Sequence, residues 1–264
     1  MIGHETIPDA FSQAKAAARK ALELDGSSAE AYEALAESKL YSDWDDWRGA
    51  EQNFRKTLAL NPNLAMARRN YSWYLNLMGQ SEAGIAEMKR AVEIDPMAPL
   101  FHMDLGWQYW DLGQSDNAIE EAREALELDP DFPLAYLLLA MVHGERGMYT
   151  EAIAAGQKAA QGEPDLRWGL AVSYARAGRK DAALRTAAEI KKQPSPWADW
   201  GLAEVYAILG DREEALRWLE QGFQDRFSLM PWLRLTDAGL ERPFKPFRHD
   251  PRYQDLLNRM NLPP

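Results

Sequence analysis

The sequence predicts an all-α array of helical hairpins, and three columns of residues in step predict it. Pro62, Pro96, Pro130 and Pro164 are spaced by 34 residues, as are Ala50, Gly84, Ala118 and Ala152, and as are Gly79, Gly113 and Gly147. Around each column the residue types fit helix, turn, helix. Before the turn glycine, Leu105, Gly106, Tyr109 and Leu112 follow a helical spacing. After it, Ala118, Ala122 and Ala125 offer small side chains over which two antiparallel helices can close. Gly113 suits a left-handed helix terminus, and Pro130 stands where the second helix must stop.

Taken in order, residues 1–26 read as a half-repeat. Ala14, Ala18 and Ala21 stand where Ala118, Ala122 and Ala125 stand, and the preceding helix is missing. Residues 27–222 hold an array of about six hairpins. The first has a turn lengthened by two residues, because Leu35 to Ala50 spans 15 positions against 13 from Leu105 to Ala118; that turn is SDWDDW. The later turn spacings shorten, 178 − 147 = 31 and 210 − 178 = 32, with Gly178 and Ala183, then Gly210 and Ala215, keeping the pattern. Residues 223–264 leave it. Asp250 and Pro251 read as the N-cap and first-turn proline of a last helix carrying Tyr253, Leu256, Leu257 and Met260. With Trp232 and Phe247 in support, this segment is expected to cap the last repeat, whose apolar face would otherwise meet water.

The pattern Leu105-Gly106-x-x-Tyr109, Ala118, Pro130 resembles the tetratricopeptide repeat. It continues as Leu170-Ala171-x-x-Tyr174 and Leu202-Ala203-x-x-Tyr206. The resemblance implies a right-handed superhelix and a non-catalytic scaffold that binds a protein or peptide. The turn SDWDDWRGAEQNFRKTLALNPN and the tail FRHDPRYQDLLNRM further resemble the helical-repeat region of bacterial multidomain signalling proteins, which implies the sensory or docking part of a regulator. No kinase glycine loop and no basic DNA-reading helix accompanies them.

Composition narrows the function classes. The chain has 30 Lys and Arg against 41 Asp and Glu, a net charge of −11, so a phosphate backbone would be repelled and nucleic acid is not the expected partner. No apolar run nears the roughly 20 residues that span a bilayer, and MIGHETIPDAF lacks the blocks of a signal peptide, so a cytoplasmic protein without a membrane partner is expected. With no cysteine there are no disulfides, thiolate metal sites or thiol nucleophiles.

Helical geometry assigns the rings of MDLGWQYWDLG. His102, Leu105, Gly106 and Tyr109 form the stripe that packs on the second helix, whereas Met103, Trp107 and Trp110 form another, which in the tetratricopeptide family lines the concave wall. The equivalent positions are Arg69, Trp73 and Asn76 before it, then Leu137 and Met141, Trp168 and Trp200 after it. These residues form the candidate binding groove, suited to a protein or peptide with apolar anchor residues. Two readings of that wall remain: an open groove, or a wall covered by superhelical closure or by the C-terminal tail. The basic clamp by which family members grip acidic chaperone termini is matched only at Arg69 and Asn76.

An enzyme is not expected. His102 and His143 fall on the packing stripe, and no nucleophile elbow, phosphate loop or His-Glu-x-x-His pair occurs. His143 with Glu145, or His102 with Asp104, would diverge on a helix, so no metal or other cofactor is expected. Acidic runs such as SDWDDW read as solvated faces and caps, with a divalent ion at the turn the other reading. A small-molecule or lipid-like receptor is the alternative function, and an enzyme with a scattered site a third.

Overall fold

The computed structural model describes residues 7–44, 46–193, 195–235 and 239–262. Fourteen α-helices follow one another, with no strand among the described residues. Helix α1 (Ile7–Leu24) comes first. The next twelve pair as α2 (Ala29–Ser38) with α3 (Trp47–Leu60), α4 (Ala65–Leu77) with α5 (Ser81–Ile94), and α6 (Pro99–Asp111) with α7 (Ser115–Leu128). Then come α8 (Pro133–Glu145) with α9 (Tyr149–Gly162), α10 (Arg167–Arg176) with α11 (Lys180–Ile190), and α12 (Pro196–Ile208) with α13 (Arg212–Gln224). Two 3-10 segments, Met230–Arg234 and Gly239–Phe247, lead to α14 (Pro251–Arg259). None of the described helices is long and apolar enough to cross a membrane.

The turn glycines do what their spacing predicts. Gly79, Gly113, Gly147, Gly178 and Gly210 all take φ between 71° and 80°, the left-handed region that side chains resist. At the second of these, Gln114 N–H donates to the Tyr109 carbonyl at 2.8 Å and Gly113 N–H to Trp110 at 2.8 Å, closing the orphan carbonyls of α6. The chain reverses within three residues, and the second helix returns along the first.

Small residues then set how near the two helices lie. Ala50, Ala118, Ala122, Ala125, Ala152, Ala183 and Ala215 are all at 0% exposure. In α5 the column requires glycine: a Cβ on Gly84 would lie 2.8 Å from the Ser72 carbonyl of α4. In α1 the same register is set against α2. Ala14 is exposed there, although Ala18 is buried against the rest of its unit.

The lengthened first turn is resolved without a glycine. A π-turn over Lys39–Asp43 extends α2, and Trp44 reverses the chain at φ 51°. A buried tryptophan in that conformation costs about 1 kcal/mol or more. Its ring is only 1% exposed and lies under the Arg226 guanidinium, 5.1 Å away. The acidic residues around it are already engaged: Asp43 accepts from Lys15 of α1 at 2.7 Å, while Asp46 caps α3 through Gly49 N–H at 2.8 Å and pairs with Lys39. The cap expected in this acidic run is present at Asp46, and Asp43 is tied to α1 as well; Asp45 lies outside the described residues.

The chain divides into two compact units. The first comprises Met1–Asp95 with Arg226–Pro231 and Leu257–Pro264; the second comprises Pro96–Asp225 with Trp232–Leu256. In the second unit the tail is tied to the last hairpin. Asp250 caps α14 through Arg252 N–H at 2.8 Å and accepts from Arg212 of α13 at 2.8 Å, while Arg252 bonds Glu213 at 2.7 Å. These guanidinium donors hold the Asp250 carboxyl well below the usual carboxylate range. Tyr253 is fully buried and donates to the Leu233 carbonyl at 2.6 Å. Leu257 and Met260, expected on the last repeat, belong to the first unit instead, where the Met260 carbonyl accepts from Trp47 Nε1 of α3 at 3.2 Å.

Gly84→Ala tests the close approach. Alanine raises helix propensity by about 1 kcal/mol, yet the blocked contact is with backbone, so a net loss of roughly 1–3 kcal/mol is expected. Urea unfolding measures it. A variant more stable than the parent would show that α4 and α5 can part at no cost.

The wall formed by the first helices of each hairpin

In the second unit the first helices of the hairpins, α6, α8, α10 and α12, present one shared face. On it the structure places Met103, Trp107 and Trp110, then Leu137 and Met141, then Trp168, then Trp200. All are buried, with exposures from 0% for Trp110, Met141 and Trp168 to 8% for Trp107. An open aromatic groove is therefore corrected at these positions, for two physical reasons.

The first is interlocking. A Cβ on Gly169 would lie 2.3 Å from Leu137 Cδ1, and one on Gly201 would lie 2.1 Å from Trp168 Cβ. Each large residue thus sits in the notch left by a glycine on the next first helix. Trp168 also stacks on Trp197 at 6.0 Å, and Met141 gives its carbonyl to Arg176 at 3.3 Å. Leu137, Met141 and Trp168 hold successive hairpins together.

The second reason is the C-terminal segment. Phe244, at 0% exposure, meets the Trp200 ring edge-on with centroids 5.5 Å apart. Arg242 reaches the C-terminal ends of α6 and α8: its Nη2 donates to the Trp110 carbonyl at 3.2 Å, it pairs with Glu145, and it lies 5.8 Å from the Trp110 ring. Glu145 also accepts from Trp110 Nε1. Helix C-termini carry partial negative charge, so a cation belongs there. Trp107 packs beside Trp110, centroids 5.3 Å apart. Of the two readings left open by the sequence, the tail covers this part of the wall.

The first unit differs. Arg69 and Trp73 on α4 are half-buried, while Asn76 is buried and accepts from Ser81 at 2.9 Å. Arg69 donates to Asn70 at 3.1 Å, and Asn70 in turn donates to Glu33 of α2 at 3.0 Å. Burial raises both Glu33 and Glu37, whose charges Arg69 partly offsets. Acidic neighbours make this an unlike setting for a carboxylate clamp.

His102 and His143 are partly buried in the hairpins, and His249 is exposed. His102 bridges α6 to α7 through Glu121 at 2.8 Å, which raises its pKa against the opposing effect of burial; burial lowers that of His143. No group of three metal-ligating side chains occurs among the described residues.

With helical hairpins, turn glycines and small-residue columns in place, comparison with known proteins decides the family. Two patterns, both described as tetratricopeptide repeat, match residues 103–165 and residues 164–189 with 196–221. Residues 103–189 and 196–221 are tetratricopeptide repeats. Among solved structures, a tetratricopeptide repeat protein from Parabacteroides merdae aligns with a TM-score of 0.65 at 13% identity, covering 96% of this chain and 93% of that one. Pseudomonas aeruginosa pilF aligns at 0.52 and 21% identity, covering 90% of each. The structure of the APC/C hetero-tetramer Cut9-Hcn1 aligns at 0.64 and 17% identity, covering 95% of this chain but 46% of that one. These likenesses show the fold. No curated protein matches.

One feature of this wall is legible in the sequence only in part: Glu204 falls in the same column as Trp200, but the spacing does not predict the burial of carboxyls there. Glu204 of α12 is fully buried; Arg176 Nη2 reaches one oxygen at 3.3 Å, and the other has no hydrogen-bond partner among the described residues. Asp199, at 4% exposure, shares a hydrogen bond with Asp225. Burial pushes Glu204 up to about 7 despite Arg176, and burial followed by the Asp225 hydrogen bond and charge pushes Asp199 up to about 7. The only sequence signal was acidic residues on an otherwise apolar face.

Raised carboxyl values mean that the folded state favours the proton. Stability from these groups is complete below their unfolded values near pH 4 and is lost as pH rises toward and through 7. Asp199→Asn, which mimics the protonated acid and keeps a donor toward Asp225, should remove part of that decline. Its melting temperature should match the parent near pH 4.5 and exceed it at pH 8. Parallel curves across that range would place the Asp199 titration elsewhere.

Proposed function

We propose that this tetratricopeptide protein is a non-catalytic scaffold that receives an extended protein or peptide segment on the wall of its first helices. The supporting observation is that the wall of the second unit holds a segment already, by side-chain anchors, with Phe244 on Trp200 and Arg242 between the ends of α6 and α8. Extended chains docked through a few anchors on a preformed surface are a recurrent mode of peptide recognition. In this reading Trp110 and Trp200 meet the ligand, while Met103, Trp107, Leu137, Met141 and Trp168 fix the shape of the wall. Arg69 and Trp73, half-buried in the first unit beside Asn76, supply a second contact region. The role as docking part of a larger bacterial regulator rests on the resemblance of the first turn and the tail.

Native and denaturing mass spectrometry of the purified protein tests the class of ligand. A bound peptide or protein supports the scaffold; a small-molecule mass in its place moves the function to a receptor. Against the ligand recovered, Trp73→Ala should weaken binding by about tenfold while costing stability about 1 kcal/mol or less. Trp110→Ala, by contrast, removes a fully buried ring and should cost about 3 kcal/mol or more. Equal losses of stability in the two variants would return Trp73 to the core.

A further inference from the structure

The C-terminal segment is attached to the wall unlike any helix of the array. Repeat helices close on one another over small residues and glycine notches. The segment Gly239–Phe247 is a 3-10 turn broken by Pro243 and Pro246, a poor geometry for a long helix. Among the described residues no backbone-to-backbone hydrogen bond joins it to α6, α8, α10 or α12; its backbone bonds, Arg248 N–H to Lys245 and Asp250 N–H to Phe247, are its own. Among its described side chains, one guanidinium and one ring reach this wall, while Phe247 lies against Arg212 of α13.

The receiving features are complementary to those two groups in detail. The guanidinium meets the Glu145 carboxylate, the Trp110 carbonyl and the Trp110 ring, and feels Asp111 beside it. A planar fork of donors suits this set of acceptors, where an ammonium would satisfy fewer. The chain's net charge of −11 favours a cationic visitor over an anionic one. Solvent reaches the pair, with 26% of the Arg242 and 29% of the Glu145 side chain exposed, so it can exchange without opening the core.

We propose that Arg242 and Phe244 occupy the wall as an intramolecular stand-in for a partner segment of the same chemistry, an arginine followed two residues later by a phenylalanine, with proline beside the ring. The proposal rests on the scaffold reading above and names its ligand class. The partner competes with the tail for the ends of α6 and α8 and for the Trp200 edge, and displaces residues 242–247 when it binds. Pro243 and Pro246 limit the conformations of the free segment, which reduces the entropy lost on docking.

The probe is a fluorescein-labelled peptide of residues 239–250, GLERPFKPFRHD, titrated against the full-length protein by anisotropy. On the parent protein the tail is in place and binding should be weak. Arg242→Ala/Phe244→Ala, checked by circular dichroism, should bind the peptide at least about tenfold more tightly. Adding Glu145→Gln to that variant should weaken binding about threefold, the scale of a partly exposed ion pair. A peptide with alanine in place of the first phenylalanine should bind about thirtyfold more weakly, the scale of a buried anchor. A folded double variant with no gain over the parent, or with a gain that ignores both Glu145 and the phenylalanine, overturns the proposal. Should the double variant fail to fold, Arg242→Ala alone decides, because it leaves the buried Phe244 in place; affinity equal to the parent overturns it. A natural partner that binds the wall without an arginine and an aromatic at this spacing leaves the scaffold standing and overturns this inference, whereas a wall that takes no protein or peptide overturns both.

Discussion

The close approach of the two helices in each hairpin is the constraint on which the rest of the structure depends. Ala50, Ala118 and Ala152 at 0% exposure, and Gly84 against the Ser72 carbonyl, bring the helices near enough that few side chains fit between them. Large residues of the first helix must then point elsewhere. They point along the array, toward the next first helix, where Leu137 meets Gly169 and Trp168 meets Gly201. The wall is therefore built by exclusion. A small residue at one column drives a large one to another, and a glycine one hairpin later receives it.

That logic explains why the tail is part of the fold of the second unit. Interlocking uses one side of each wall residue and leaves the other toward open space. At the last hairpins the wall carries an aromatic edge at Trp200, which gains by leaving water, and a buried acid at Glu204, which needs a polar partner. Phe244 covers the first. Asp250, Arg212, Arg252 and Glu213 fix the end of the segment through charge-assisted bonds, so covering the ring does not require a long helix. Tyr253, at 0% exposure with its hydroxyl on the Leu233 carbonyl, completes the attachment.

Much of this was legible from residue spacing, because the repeat writes its turn glycines and small columns at fixed intervals. The glycine turns, the hairpin pairing and the N-cap at Asp250 are local features, fixed by residues close together in sequence. The state of the wall was not legible. Helical spacing separates Met103, Trp107 and Trp110 from the Tyr109 stripe, but separation from one packing face does not establish exposure on another. A signal was present: Trp168-Gly169 and Trp200-Gly201 repeat a large residue beside a glycine, the pairing that lets successive helices interlock. Arg242 was invisible for a different reason. Its partners Trp110 and Glu145 lie 132 and 97 positions away (242 − 110 and 242 − 145), and no periodicity connects a tail to a repeat.

A wall occupied by its own chain also divides affinity from selectivity. Any partner competes with a segment that is always present, so its apparent affinity is the intrinsic one reduced by the fraction of molecules whose wall is free. The ring at position 244, fully buried against Trp200, supplies most of the contact energy, but an aromatic edge accepts many rings and discriminates weakly. The guanidinium site contributes less energy, because the Arg242–Glu145 pair is partly open to solvent, yet it discriminates more. A visitor without a cation leaves Glu145 and the carbonyl end of α6 facing an apolar group, and so competes less well with the tail than one with an equal ring and a cation. The phenylalanine holds the segment; the arginine decides which segment is held.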